Sequence, residues 1–139
     1  MVEESRQAKT IIEKIKQLLY NYDLTIAYAQ GEIAIRNASM DLYKGSKSQY
    51  KQRKFLEAKI DKEKFQIFVD DVENARSELL DNVEIILSKY QKKYKDIFML
   101  YFFQEKSYKE IADQTAYSIP MITKVIKRLK NDLLTFYMP

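Results

Sequence analysis

The first 90 residues carry two long stripes of apolar positions. In each, steps of three and four residues place the apolar side chains on one face of a helix. The first stripe is Ile11, Ile15, Leu18, Tyr22, Ile26, Ala29 and Ile33, which predicts one helix of about 30 residues. The second is Phe65, Phe68, Val72, Ala75, Leu79, Val83, Ile86 and Tyr90. Stripes of matched length favour an antiparallel helical hairpin within the chain or a coiled coil between subunits.

Between the stripes, residues 38–61 lose this periodicity. A polar turn is predicted at residues 44–48, and few apolar side chains come after it. The basic residues after the turn are Lys51, Arg53, Lys54 and Lys59. The segment therefore predicts a basic loop with at most a short helix. Residues 92–103, by contrast, predict a third helix that is apolar on nearly every side and forms the core of the carboxy-terminal region.

Two short helices are predicted next, each beginning with a serine. Ser107 with Glu110 three residues later fits a capping box. Ser118 precedes Pro120, which lies in a first helical turn, where its missing N–H costs little. About three residues separate the helices, and Ala112 is small enough for them to cross closely. This arrangement is typical of a helix-turn-helix.

The second of these helices predicts two distinct faces. Its apolar residues recur in steps of three and four and are expected to face the core: Ile119, Ile122, Ile126, Leu129 and Leu133. At about 100° per residue, a polar and cationic set points the other way. That set is Met121, Thr123, Lys124, Lys127, Arg128 and Asn131. A protruding helix of this kind can enter the major groove of DNA.

Each candidate DNA contact follows from the chemistry of its side chain. The cations can neutralise phosphates or reach guanine edges, while Thr123 and Met121 can meet base edges and thymine methyl groups. The helix amides at Ser107 and Ser118 suit phosphates. Lys109 adds a positive charge to the first of these ends.

Part of this region resembles region 4 of bacterial sigma factors. Residues 94–112 read YKDIFMLYFFQEKSYKEIA, in which an apolar helix precedes a Ser-Tyr-x-Glu-Ile-Ala start. The resemblance runs from Leu87 to about Leu134, and it implies a three-helix DNA-binding domain. Four residues depart from the pattern, and they affect base recognition more than the fold: Thr115, Ala116, Pro120 and Met121.

The layout of the whole chain is similar to the ArpU/RinA group of phage-type late transcription regulators. This resemblance implies an activator of phage or prophage late genes that acts with RNA polymerase. The predicted all-α chain then divides into a long helical hairpin at 1–91 and a helix-turn-helix domain at 92–139. Nothing in residues 1–86 resembles the promoter-melting region of a complete sigma factor.

The composition narrows the classes of function. The 139 residues include only two Gly and two Pro, which favours long helices, and no Cys or His. Disulfides, thiolate nucleophiles, imidazole bases and zinc sites built on Cys or His are thereby excluded. We find no catalytic constellation, and we expect a non-enzyme without cofactor or metal.

Charge and hydropathy indicate the partners. The net charge of +4 is distributed as −1, +5, −5 and +5 over residues 1–35, 36–64, 65–87 and 88–139. Basic segments suit duplex DNA. The polar amino terminus and the short apolar run at 97–103 predict a cytoplasmic protein without signal peptide or membrane span. We expect binding to DNA, contact with RNA polymerase and a homodimer.

Two other functions fit the sequence. A phage small terminase subunit also combines a helix-turn-helix with coiled-coil helices, but such proteins tend to carry the motif at the amino-terminal end. The second alternative function is a helical interaction module that binds polymerase or a sigma factor without touching DNA. DNA binding with a steep salt dependence would indicate a DNA-binding regulator and not this interaction module.

Overall fold

A computed structural model describes residues 2–138 of the chain, with side chains described for residues 6–138. Over this range the elements are all helices, which confirms the all-α prediction. They are α1 (Val2–Leu19), α2 (Tyr22–Tyr43), α3 (Gln49–Leu87), α4 (Lys92–Phe98), a π-helical turn (Met99–Phe103), α5 (Tyr108–Gln114) and α6 (Ile119–Tyr137). Within the described residues, no helix is both long and apolar enough to cross a membrane.

The prediction of one helix through the first stripe is wrong. Helix α1 ends at Leu19, and α2 begins at Tyr22. The spacing of four and three residues continues across the break, so the periodicity gives no sign of it. The two halves of the stripe pack in different cores, Ile15 with the carboxy-terminal helices and Ile26 with α3.

The prediction of a loop at 38–61 is also wrong. Helix α2 continues to Tyr43, and α3 starts at Gln49, so the connection is only the turn at 44–48. Gly45 has a φ of +73°, which suits glycine, and Ser48 accepts a hydrogen bond from the amide of Lys51 at 3.5 Å. Most residues after the turn are good helix formers such as Lys, Arg, Glu, Leu and Ala, and they extend α3 without needing an apolar stripe.

Helix α3 is a single helix of 39 residues, longer than the second stripe predicts. Its buried side differs from that stripe at two positions, Phe68 and Ala75, which are both exposed. Phe68 is 43% exposed, and the neighbouring Val69 is buried instead.

The chain forms two compact units, divided within α3. Unit 1 comprises residues 1–21 and 76–139, and unit 2 comprises residues 22–75. Helix α1 and the end of α3 share a core with the carboxy-terminal helices, so these compact units do not follow the predicted division into 1–91 and 92–139.

Unit 1 holds a large apolar core. Helices α1, α3, α4, α5, α6 and the π-helical turn all contribute buried side chains to it. Phe98, Phe102 and Leu129 are among the fully buried ones. Each such side chain stabilises the fold by about 1.5–3 kcal/mol. The orientation of α6 is therefore fixed by packing along its length.

Unit 2 has a much smaller core. Ile26 and Ala29 of α2 pack with Val69 of α3, and four partly buried residues surround them. Those four are Tyr22, Ile33, Phe65 and Val72. The guanidinium of Arg36 lies 5.3 Å from the ring centroid of Phe65.

Candidate nucleic-acid interface

Helix α5 begins with the capping box that the sequence predicts. The Ser107 hydroxyl accepts a hydrogen bond from the Glu110 amide at 3.1 Å, and the Glu110 carboxylate accepts one from the Ser107 amide at 3.1 Å. The backbone hydrogen bond from Ser107 lowers the pKa of Glu110. A carboxylate therefore already occupies this helix end, and a phosphate there would meet a negative charge.

The turn between α5 and α6 is held by Thr115. Its hydroxyl donates to the carbonyl of Ile111 at 2.7 Å and accepts from the amide of Tyr117 at 3.2 Å. Thr115 is one of the departures from the sigma-factor pattern, and these two hydrogen bonds give it a role in the turn. Ser118 then caps α6 by accepting from the amide of Met121 at 3.3 Å, as predicted.

The inner face of α6 is the side that packs in the core of unit 1. Ile122, Ile126, Leu129 and Leu133 are buried as predicted, with no exposed surface. The prediction for Ile119 is wrong, since 46% of this residue is exposed. It points in the same direction as Ile126, but it is the first residue of α6 and does not belong to the core cluster.

Two residues of α6 are more buried than the sequence predicts. Met121 is only partly exposed and packs against the core, so its prediction as an outward residue is wrong. Val125 is buried although it is absent from the predicted core. Its position, three residues after Ile122 and four before Leu129, was the signal that could have found it.

The outer face of α6 consists of five residues that the sequence assigns to DNA. All of them are exposed: Thr123, Lys124, Lys127, Arg128 and Asn131. The hydroxyl of Thr123 donates to the carbonyl of Ile119 at 2.9 Å. The remaining four carry polar or charged ends on a helix that is rigidly packed on its other side.

Arg128 is positioned by an aromatic platform. Its guanidinium lies 5.7 Å from the ring centroid of Tyr90, and Tyr90 stacks on Tyr94 with ring centroids 4.4 Å apart. A hydrogen bond to Tyr94 raises the pKa of Arg128. The hydroxyl of Tyr90 donates to Asp132, and this hydrogen bond raises the pKa of Tyr90. The sequence placed Tyr90 in an apolar stripe and gave no sign of this contact.

A groove of about 680 Å³ lies on the surface between α1 and α6, which share the core of unit 1. The α1–α6 groove is lined by Lys9 and Lys16 from α1 and by Lys127 and Lys130 from α6, with Glu13 adding one negative charge. Nothing in the sequence indicated that these lysines of α1 lie beside α6.

Tyr101 lies at the α1–α6 groove between two of these lysines. The ammonium groups of Lys16 and Lys130 are 4.5 Å and 5.2 Å from its ring centroid. Burial raises the pKa of Tyr101, but hydrogen bonds and charges from Lys130 and Lys16 outweigh it and lower the pKa overall. The groove is thus a site of concentrated positive charge.

Comparison with protein-family models, curated proteins and solved structures finds no match to this chain. Of the other candidate DNA contacts, Ser107, Lys109 and Ser118 are exposed at the starts of α5 and α6. Both serine hydroxyls already cap their own helices.

Proposed function

We propose that this chain is a sequence-specific transcriptional regulator that binds duplex DNA through a helix-turn-helix formed by α5 and α6. The observation that carries the proposal is the outer face of α6, where Lys124, Lys127 and Arg128 are exposed on a helix whose inner face is buried. Packing fixes this helix before any ligand arrives. The cations need no rearrangement to meet a groove.

Within this proposal the contacts divide into two kinds. Lys9 and Lys16 of α1, together with Lys130 of α6, line the α1–α6 groove and suit the phosphate backbone, which positions a protein without reading sequence. Arg128 suits a guanine edge, because a guanidinium can donate two parallel hydrogen bonds to its O6 and N7. Asn131 suits adenine in the same way.

The helix ends contribute less than the sequence suggests. The Glu110 carboxylate occupies the start of α5, so we leave Ser107 out of the proposed phosphate contacts. At the start of α6, the amide of Met121 is already bonded to Ser118, and Pro120 has no N–H to offer. The side-chain cations therefore provide most of the affinity.

The proposed protein partner is RNA polymerase, at late genes of a phage or prophage, as the sequence resemblance implies. A row of acidic side chains is exposed along α3 and suits a basic protein surface. These residues are Asp70, Asp71, Glu73, Glu78, Asp81 and Glu84. They lie on a different helix from the proposed DNA contacts.

The test is selection of duplex fragments from a phage-genomic pool, followed by fluorescence anisotropy with the selected duplex, a scrambled duplex and a single strand. We expect the selected duplex to bind about 10³-fold or more tightly than the scrambled one, as specific regulators do. Equal binding to all three would contradict a sequence-specific role. Absence of DNA binding at low salt would favour the interaction module instead.

A further inference from the structure

Helix α2 is apolar on two opposite faces. Ile26 and Ala29 are buried against α3. Leu24, two residues before Ile26 and therefore about 200° away around the helix, is 73% exposed. A long apolar face of a helix is normally buried against a partner. The second apolar face of α2 is exposed in a single chain and therefore favours packing against a partner.

This second face follows a regular heptad pattern, with steps of four, three, four, three and four residues. We call it the outer stripe of α2, and its members are Leu24, Tyr28, Gly31, Ile35, Ala38 and Leu42. Its four large side chains are 73%, 66%, 56% and 74% exposed in chain order. Such a seam is the pattern by which one helix pairs with another.

We propose that two copies of this chain associate through the outer stripe of α2, packed antiparallel about a twofold axis near Ile33. In this register Leu24 lies opposite Leu42 of the second copy. Tyr28 lies opposite Ala38, and Gly31 lies opposite Ile35. Each layer away from the ends thus pairs a large side chain with a small one, which is how well-packed helix interfaces fill space.

Gly31 supports this choice of partner. It lies inside a 22-residue helix, where glycine is less stable than alanine. No described residue requires it, because a Cβ atom built there would have no atom within 4 Å. A glycine without an internal reason is explained by the close approach of a second helix, here at Ile35 of the other copy.

The charges around the stripe agree with self-association. Four of the positions that flank it are small and uncharged, namely Thr25, Ala27, Ala34 and Ser39, and the charged residue near its middle is Glu32. Asp23 at the start of α2 lies near Lys44 of the second copy in the proposed register. Glu32 would approach its own equivalent, but it is already paired with Arg36 of the same chain.

The available area is sufficient for a specific dimer. With roughly 200 Å² for a large apolar side chain, the four exposed members of the stripe offer on the order of 500 Å² per copy. A symmetric pair then buries about 1,000 Å², the lower bound for a specific interface. The small core of unit 2 gives a reason for such an interface, since its burial is limited to Ile26, Ala29, Ala58 and Val69 over residues 22–75.

Helix α3 also exposes apolar residues, but they do not form an equivalent seam. Leu56, Ile60 and Ile67 are 55%, 53% and 60% exposed. Glu63 and Lys64 interrupt this line between Ile60 and Ile67. Leu56 therefore provides a matched control, an exposed leucine outside the proposed interface.

Sedimentation velocity of the full chain tests the interface. We expect the wild type to sediment at twice the chain mass of 16.6 kDa. Gly31→Leu should keep the helical fold, because its side chain has open space in one chain, while the dimer dissociation constant rises at least tenfold. Leu56→Glu should leave the dimer constant within about twofold.

Disulfide crosslinking tests the register. The natural chain contains no Cys, so only the introduced cysteines can form a disulfide. A mixture of Leu24→Cys and Leu42→Cys chains should crosslink, whereas Leu24→Cys alone should not, because its two copies would lie about 27 Å apart. A wild-type monomer, a larger ring or a dimer that survives Gly31→Leu would overturn the proposal. So would crosslinking of Leu24→Cys with itself. None of these outcomes depends on DNA binding, so the two proposals fail separately.

Discussion

Arg128 of α6 lies over the ring of Tyr90, with its guanidinium 5.7 Å from the ring centroid. Tyr94 stacks behind Tyr90 at 4.4 Å, and Asp132 accepts a hydrogen bond from the Tyr90 hydroxyl. The contacts restrict where Arg128 can point while leaving it exposed. A preorganised guanidinium loses less conformational entropy when it binds a base or phosphate.

Replacement of Tyr90 by leucine should therefore weaken DNA binding, although Tyr90 itself is not one of the proposed contacts with DNA. A cation–π interaction at an exposed site contributes about 0.5–1 kcal/mol, which corresponds to a roughly two- to fivefold loss of affinity. Tyr90→Phe keeps the ring and should retain most of the affinity. Anisotropy titrations measure both variants, and Tyr50→Leu on α3 is the control that should have no effect.

The inner and outer faces of α6 should respond differently to truncation. Leu129→Ala removes a fully buried side chain and should lower the free energy of unfolding by about 2–5 kcal/mol. Arg128→Ala removes an exposed side chain and should change it by less than about 1 kcal/mol. Urea unfolding measures both. A larger loss for Arg128→Ala than for Leu129→Ala would show that the faces are assigned incorrectly.

The turn between α5 and α6 should depend on the hydroxyl of Thr115. Thr115→Val keeps the shape of the side chain and removes its hydrogen bonds to Ile111 and Tyr117, which should cost about 1–2 kcal/mol of unfolding free energy. Thr123→Val is the matched control, because its hydroxyl bonds only to a carbonyl four residues earlier on an exposed face. Equal losses for the two variants would contradict the role of Thr115.

Acid should weaken the capping box of α5. The pKa of Glu110 lies below its ordinary value of 4.5 in the folded chain, chiefly because its carboxylate accepts a hydrogen bond from the Ser107 amide. Its contribution to stability is thus present above pH 4.5 and is lost as the pH falls through the lower, folded value. Glu110→Gln should be less stable than wild type at pH 7, and the difference should shrink by pH 3. A difference independent of pH would contradict this account.

The features that the sequence predicted correctly are set by neighbouring residues. The caps at Ser107 and Ser118 depend on hydrogen bonds across three residues, and a local pattern shows them directly. The apolar helix at 92–103 is equally local, although its second half adopts the π-helical turn Met99–Phe103. The buried face of α6 followed from spacing alone, apart from Ile119 and Val125.

The features that the sequence missed depend on contacts between distant segments. The break before Tyr22 leaves the heptad spacing intact, and only tertiary packing separates Ile15 from Ile26. The placement of Lys16 beside Lys130 brings together residues more than 100 positions apart, which periodicity cannot show. Helix α3 extends through 49–61 without an apolar stripe, so apolar periodicity does not reveal this part of the helix.

The most direct test of the account is the salt dependence of binding to the selected duplex by wild type and by the variant Lys124→Ala/Lys127→Ala/Arg128→Ala. Each phosphate contact contributes about 0.9 to the slope of log affinity against log salt concentration. We expect the variant to remain folded, to bind at least tenfold more weakly and to show a shallower slope. The matched variant Lys47→Ala/Lys51→Ala/Arg53→Ala, on the turn and start of α3, should resemble wild type. Unchanged affinity and slope for the α6 variant would contradict the claim that the outer face of α6 meets DNA.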